Sequence, residues 1–215
     1  MRQEQEIKNR VLSSAREKFF RFGFRRVTMD EISTAAGISK KTLYQLFADK
    51  EQLARAVMRM TMKEIESGVK ALMQDPDIDF EERLKRLMTF MGMKLSSIGE
   101  TAINDLKNFS PGMWKEVEEF RRAKVLEHFG RNIEEGADKG VFRRDVDPEI
   151  ITLIYITLIE KLINPDLLSR LRFSPRELFE MILKVMFEGI LTRSARSAKV
   201  GKELLPGRKK TGGLS

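Results

Sequence analysis

Six polar side chains within eleven residues carry the chemistry for which this chain is best equipped. Lys40, Lys41, Thr42, Tyr44 and Gln45 lie in one short run, and Lys50 follows just beyond it. Ammonium groups meet phosphate oxygens, the Thr and Tyr hydroxyls can donate to the same oxygens, and a carboxamide can grip adenine through two hydrogen bonds. Catalysis is poorly supplied by comparison. There is no cysteine and a single histidine, His128. That excludes a disulfide scaffold, thiolate metal sites and a cysteine nucleophile, and it weakens any hydrolase built on a His base. The sequence has no Gly-rich phosphate loop, no Gly-x-Ser-x-Gly elbow and no nucleophile–base pair. His128 lacks a partner at metal spacing. The expectation is a binding protein with no catalytic residues, no metal and no cofactor.

The placement of charge agrees. The net charge is +8 over 215 residues. Residues 1–55 hold 12 Lys/Arg against 7 Asp/Glu, residues 194–215 hold 6 against 1, and residues 56–193 hold 22 against 24. A basic head on a near-neutral body is the electrostatic footprint of a protein that meets a polyanion at one end. The polar start MRQEQEIKNR predicts no secretory leader, and no stretch is long and apolar enough for a membrane span, so a cytoplasmic, membrane-free protein is expected.

Capping chemistry shows which elements position the polar run. Thr28-Met29-Asp30-Glu31, Asp79-Phe80-Glu81-Glu82 and Ser174-Pro175-Arg176-Glu177 read as capping boxes. Ser39, Asp49 and Asp147 offer further starts, and Gly23, Gly37 and Gly140 sit where left-handed residues end helices. The spacing predicts helices over about 4–22, 29–36, 40–46, 50–73, 79–98, 100–108, 113–138, 148–163 and 175–193. The first places Ile7, Val11, Ala15, Phe19 and Phe22 on one face. The β-branched run 150–159 has the composition of a buried strand, but its Asp-Pro-Glu start, its length and the lack of a partner strand favour helix. The fold expected is all-α: a three-helix helix-turn-helix head at 4–64, a helical body at 65–193, and a disordered basic tail at 194–215.

Within the head, Met29, Ile32 and Ala36 face inward, Gly37 turns the chain, Ile38 plugs the corner, and Leu43, Leu46 and Phe47 bury the next helix. Its outer surface is then Lys40, Lys41, Thr42, Tyr44 and Gln45. The run Thr28…Gly37-Ile38-Ser39-Lys40-Lys41-Thr42-Leu43-Tyr44-x-x-Phe47-x-x-Lys50, preceded by Ala15-x-x-x-Phe19-x-x-x-Gly23-Phe24, resembles the DNA-binding domain of the TetR family of transcriptional repressors over about residues 4–64. The resemblance implies DNA contacts from Thr28, Lys40, Lys41, Thr42, Tyr44 and Lys50, with Gln45 added from its chemistry. Two departures bear on base preference: Lys41 where family members often carry Gly, and Gln45-Leu46 where they often carry a His.

The body concentrates Met, Phe and the one Trp between residues 80 and 129. Such soft, large side chains pack cores and also line adaptable cavities. The resemblance implies an effector pocket there, for which Met88, Met91, Phe109, Trp114, Phe120 and His128 are candidates; Arg121, Arg122 or His128 would orient a polar end if turned inward. The ligand expected is small and largely apolar, aromatic or acyl-bearing. The last two helices are apolar on more than one face, so a homodimer is expected through Ile151, Ile154, Tyr155, Leu158, Leu178, Ile182 and Met186. Together these give a ligand-responsive repressor that binds an inverted-repeat duplex DNA operator as a homodimer. A sequence-tolerant nucleic-acid-binding protein and a small helical enzyme around Trp114 and His128 are the alternatives.

Overall fold

A computed structural model describes residues 2–194, apart from the side chain of Glu100. The chain is helical throughout: α1 Arg2–Phe22, α2 Met29–Ala36, α3 Lys40–Leu46, α4 Lys50–Gln74, α5 Phe80–Ser97, α6 Glu100–Phe109, α7 Pro111–Lys124, α8 Gly130–Asp138, α9 Pro148–Leu162, α10 Pro165–Leu168 and α11 Pro175–Ile190. No strand forms among the described residues; Phe142 and Leu191 make one isolated antiparallel bridge. The run 150–159 is helix. The basic tail lies, from residue 195 on, outside the described residues.

The starts follow the capping residues. Thr28 and Ser174 close reciprocal boxes with Glu31 and Glu177. Asp79 accepts from the Glu82 N–H at 2.8 Å, a one-way cap where a box was expected. The helix expected over 113–138 begins earlier, at Ser110-Pro111-Gly112, with Ser110 as cap and Pro111 in the first turn, where a missing N–H costs nothing. Asn164 caps the unforeseen α10. Between α7 and α8 the helix widens into a π turn over Val125–Phe129.

One core runs from head to body. In α1, Val11, Ala15, Phe19 and Phe20 are buried. Phe22, expected on that face, is 41% exposed, with the Arg21 guanidinium 5.1 Å from its ring centroid. The apolar stripe therefore ends at Phe20, two residues before the helix does.

The Thr28 cap gives a stability test. Its Oγ1 accepts from the Glu31 N–H at 3.2 Å, while the Thr28 N–H donates to the Glu31 carboxylate at 2.8 Å. Thr28→Ala should cost about 1 kcal/mol in chemical denaturation. The bonds from the Thr28 backbone N–H and then its hydroxyl hold the Glu31 carboxyl below its ordinary value. A lowered carboxyl pKa stabilises the fold above the ordinary carboxylate range and loses that contribution as pH falls through the lowered value. Glu31→Gln should therefore flatten the acid limb of the stability profile.

Candidate nucleic-acid interface and body cavity

Three short-range devices aim α3. The α2 helix starts on the Thr28 box and ends at Gly37, whose φ of 62° lies in the left-handed region that favours glycine. Ser39 then caps α3, accepting from the Thr42 N–H at 3.1 Å. Leu43 and Phe47 are buried beneath it, so the opposite face is presented to solvent. Tyr44 is 50% exposed. Lys41, Tyr44 and Gln45 are all exposed and have no hydrogen-bond or ion-pair partner among the described residues. These three, on one face of a helix small enough for a major groove, are free to meet a duplex.

The other expected contact residues are already engaged. The Lys40 ammonium meets Asp30 at 2.5 Å. The Thr42 hydroxyl lies 2.9 Å from that of Ser39, and Thr28 is occupied by its box. Lys50 is half-buried, and its ammonium donates to the carbonyls of Arg25 and Val27 at 3.0 and 3.1 Å. It also sits 5.3 Å from the Phe109 ring centroid. Lys50 thus pins the α1–α2 loop onto the body as well as marking the start of α4.

Behind the head, α4–α9 and α11 enclose a cavity of about 260 Å³. Met88, Met91, Trp114, Phe120 and His128 line it. Phe109 does not. It stacks on Phe24 with centroids 5.9 Å apart, at the junction of head and body, because its position at the end of α6 turns it toward α1. The charged and amide side chains of the wall all fall along the strip formed by α7, the π turn and α8. There Arg121, Lys124, His128 and Asn132 reach the cavity, with Tyr155 across from them on α9. Arg122 points away and pairs with Glu160 at 3.1 Å. Burial holds the His128 imidazole and the Arg121 guanidinium below their ordinary values and pushes the Tyr155 phenol up. Tyr155 stacks on Phe129 at 3.9 Å between centroids. Asn132 and the π turn have no signature that sequence reasoning could have used.

The structure corrects the residues expected between subunits. Ile151, Tyr155, Leu178, Ile182 and Met186 are each at most 7% exposed within the single chain. They point inward because α9 and α11 pack on each other and on the body. The apolar side chains left bare on these helices are Ile150, Leu153, Ile154, Met181 and Val185, with Val185 68% exposed; Ile154 was expected there, and Leu158 is half-buried beside it.

Cavity and head share α6. The Gly99 N–H just before it donates to the Phe20 carbonyl at 3.0 Å. A Cβ at Gly99 would lie 2.6 Å from that oxygen, so only glycine permits this approach. The Asp105 carboxylate accepts from the Arg25 N–H. Ala102, Ile103 and Leu106 of the same helix line the cavity, and so does Phe24, which stacks on Phe19 at 5.0 Å. The long α4 contributes Met58, Thr61, Met62, Ile65 and Val69 to the same wall. Among the described residues no group of His, Asp and Glu could hold a metal ion. None of their helices is long and apolar enough to cross a membrane.

A helix-turn-helix head with an open recognition surface, continuous with a helical body around an apolar cavity, defines a DNA-binding transcriptional regulator. Residues 11–57 match the family described as bacterial regulatory proteins, tetR family, which identifies the head as a TetR-type DNA-binding domain. It is 26% identical over 165 residues to the uncharacterized HTH-type transcriptional regulator YvaF of Bacillus subtilis, spanning 76% of this chain and 85% of that protein. The HTH-type transcriptional activator FasR of Mycolicibacterium smegmatis is 35% identical over 80 residues, 37% of this chain and 36% of its own length. A transcriptional regulator from Cytophaga hutchinsonii shares the fold, with a TM-score of 0.65 at 21% identity over 85% of this chain and 97% of that one.

Proposed function

We propose that the chain is a ligand-responsive repressor that binds an inverted-repeat operator as a homodimer and is released by a small, largely apolar effector. Residues 4–64 form the DNA-binding unit, and residues 65–193 form the effector-binding and dimerisation unit. The observation that carries this reading is the shared wall: α6 and Phe24 face the cavity while α6 also holds the α1–α2 loop through Gly99, Asp105 and Phe109. A molecule that fits the cavity in only one position of α6 must shift the head between two states. A differential affinity of about 1.4 kcal/mol already weakens DNA binding about tenfold. Two such heads, joined by the bare faces of α9 and α11, present α3 twice to one side of a duplex.

Selection from random duplexes should return a palindromic site, and a screen of apolar compounds against that site should return molecules that release it. Trp114 lines the cavity, so its fluorescence should change over the same effector concentrations that lower operator affinity. Equal binding to random and selected duplexes at moderate salt would favour sequence-tolerant nucleic-acid binding. Increased transcription from a template bearing the selected site would make the protein an activator.

A further inference from the structure

The charged and amide side chains of the cavity lie at one pole, and that pole has unused hydrogen-bonding capacity. Arg121 donates through Nη1 to the Ile163 carbonyl at 3.2 Å, which anchors the guanidinium. Its Nε and Nη2 are buried and have no hydrogen-bond partner. Both ring nitrogens of His128 and Oδ1 of Asn132 are in the same condition. Four side chains make this strip, and three of them hold buried, unmatched polar atoms. The fourth, Lys124, is occupied by Glu66 at 2.6 Å and Glu127 at 3.0 Å. Natural cores leave few such atoms, so a cluster of them at a cavity wall asks for a polar group supplied from outside the chain.

We propose that the cavity binds a medium-chain carboxylic acid, with the carboxylate held side-on by Nε and Nη2 of Arg121 and the apolar body lying toward Met88, Met91 and Trp114. This rests on the reading of the cavity as the effector site and names the class of its ligand. The two free N–H groups share one edge of the planar guanidinium, the edge that takes both oxygens of a carboxylate in parallel. An alcohol or a single carbonyl oxygen matches only one of them at full strength. Glu118 and Glu160 act on Arg121 through space and make no hydrogen bond to it, so they temper its charge without filling its fork. His128 stands at the π turn, the widened helical geometry that recurs at functional sites. Either of its ring nitrogens can donate a further bond to the same carboxylate. The volume sets the length: about 150 Å³ of apolar cavity holds one benzene ring, so 260 Å³ suits a body of about ten heavy atoms.

The test uses the full-length protein with decanoate, decan-1-ol and methyl decanoate, read by calorimetry and Trp114 fluorescence. Decanoate should bind about 30-fold more tightly than either neutral compound, as a bidentate charge-assisted pair requires. Arg121→Gln should bring acid and alcohol within about threefold of each other. Arg121→Lys, which keeps the charge and loses the fork, should recover less than a tenfold preference. If Arg121→Gln does not fold, the unaltered protein and Arg121→Lys decide the matter. Binding of the alcohol or ester as tightly as the acid, with release of DNA, overturns the assignment of the head group and leaves the effector reading standing. Failure of all three compounds to bind overturns both.

Discussion

Ile154→Asp combined with Val185→Asp should yield a folded monomer that has lost at least about 100-fold of its operator affinity. Both side chains are bare in the single chain, 49% and 68% exposed, so charge there leaves the fold of one subunit nearly untouched. In a dimer built through α9 and α11 the same positions become buried. An unpaired buried carboxylate costs several kcal/mol, and the two-fold axis repeats each one. DNA binding then falls because each head must find its half-site alone, without the high effective concentration that a linked second head provides. Ile182→Asp serves as the contrast. Ile182 is only 5% exposed inside one chain, so this change should unfold the subunit outright. Sedimentation and circular dichroism separate the two outcomes. A doubly charged variant that remains a dimer, or an unaltered protein that binds its operator as a monomer, would remove the bare face from the interface.

The helices of the head were legible in the sequence because the devices that start and end them are local. Thr28, Ser39 and Asp49 each cap a helix through the backbone N–H three residues on, and Gly37 supplies its turn from its own backbone. The body was legible in content and less so in direction. Apolar residues surround α9 and α11 so evenly that periodicity could not tell Tyr155, which faces the cavity, from Ile154, which faces solvent. That choice is made by long-range packing, which has no short-range signature. Phe109 shows the same limit: it is aromatic, sits in the right stretch of chain, and is turned toward the head by its place at the end of α6. Arg121 and Arg122 are neighbours of one type, and only the helix phase sends the first to the cavity and the second to Glu160. Had the helix kept α-helical spacing through residues 125–129, His128 would be offset from where the π turn places it.

Within α3 the structure separates two lysines that the sequence treats alike, and the separation carries a measurable consequence. Lys40 is held 2.5 Å from Asp30, whereas Lys41 has no partner among the described residues. A phosphate gains the full charge of Lys41 but must share Lys40 with a carboxylate. Each phosphate contact contributes about 0.9 to the slope of log affinity against log salt. Lys41→Ala should lower that slope by about 2 in a dimer, which contacts DNA twice, and weaken binding about 50-fold at 0.1 M salt. Lys40→Ala should move the slope by less than half as much. Gln45→Ala should leave the slope unchanged and relax the preference at one base of each half-site, by roughly 1–3 kcal/mol per lost base contact. Operator titrations from 0.05 to 0.3 M salt on these three variants distinguish phosphate contacts from base reading. An unchanged slope in Lys41→Ala would take that ammonium off the phosphate backbone. An unchanged slope together with unchanged base preference in all three would mean that α3 does not lie in the groove.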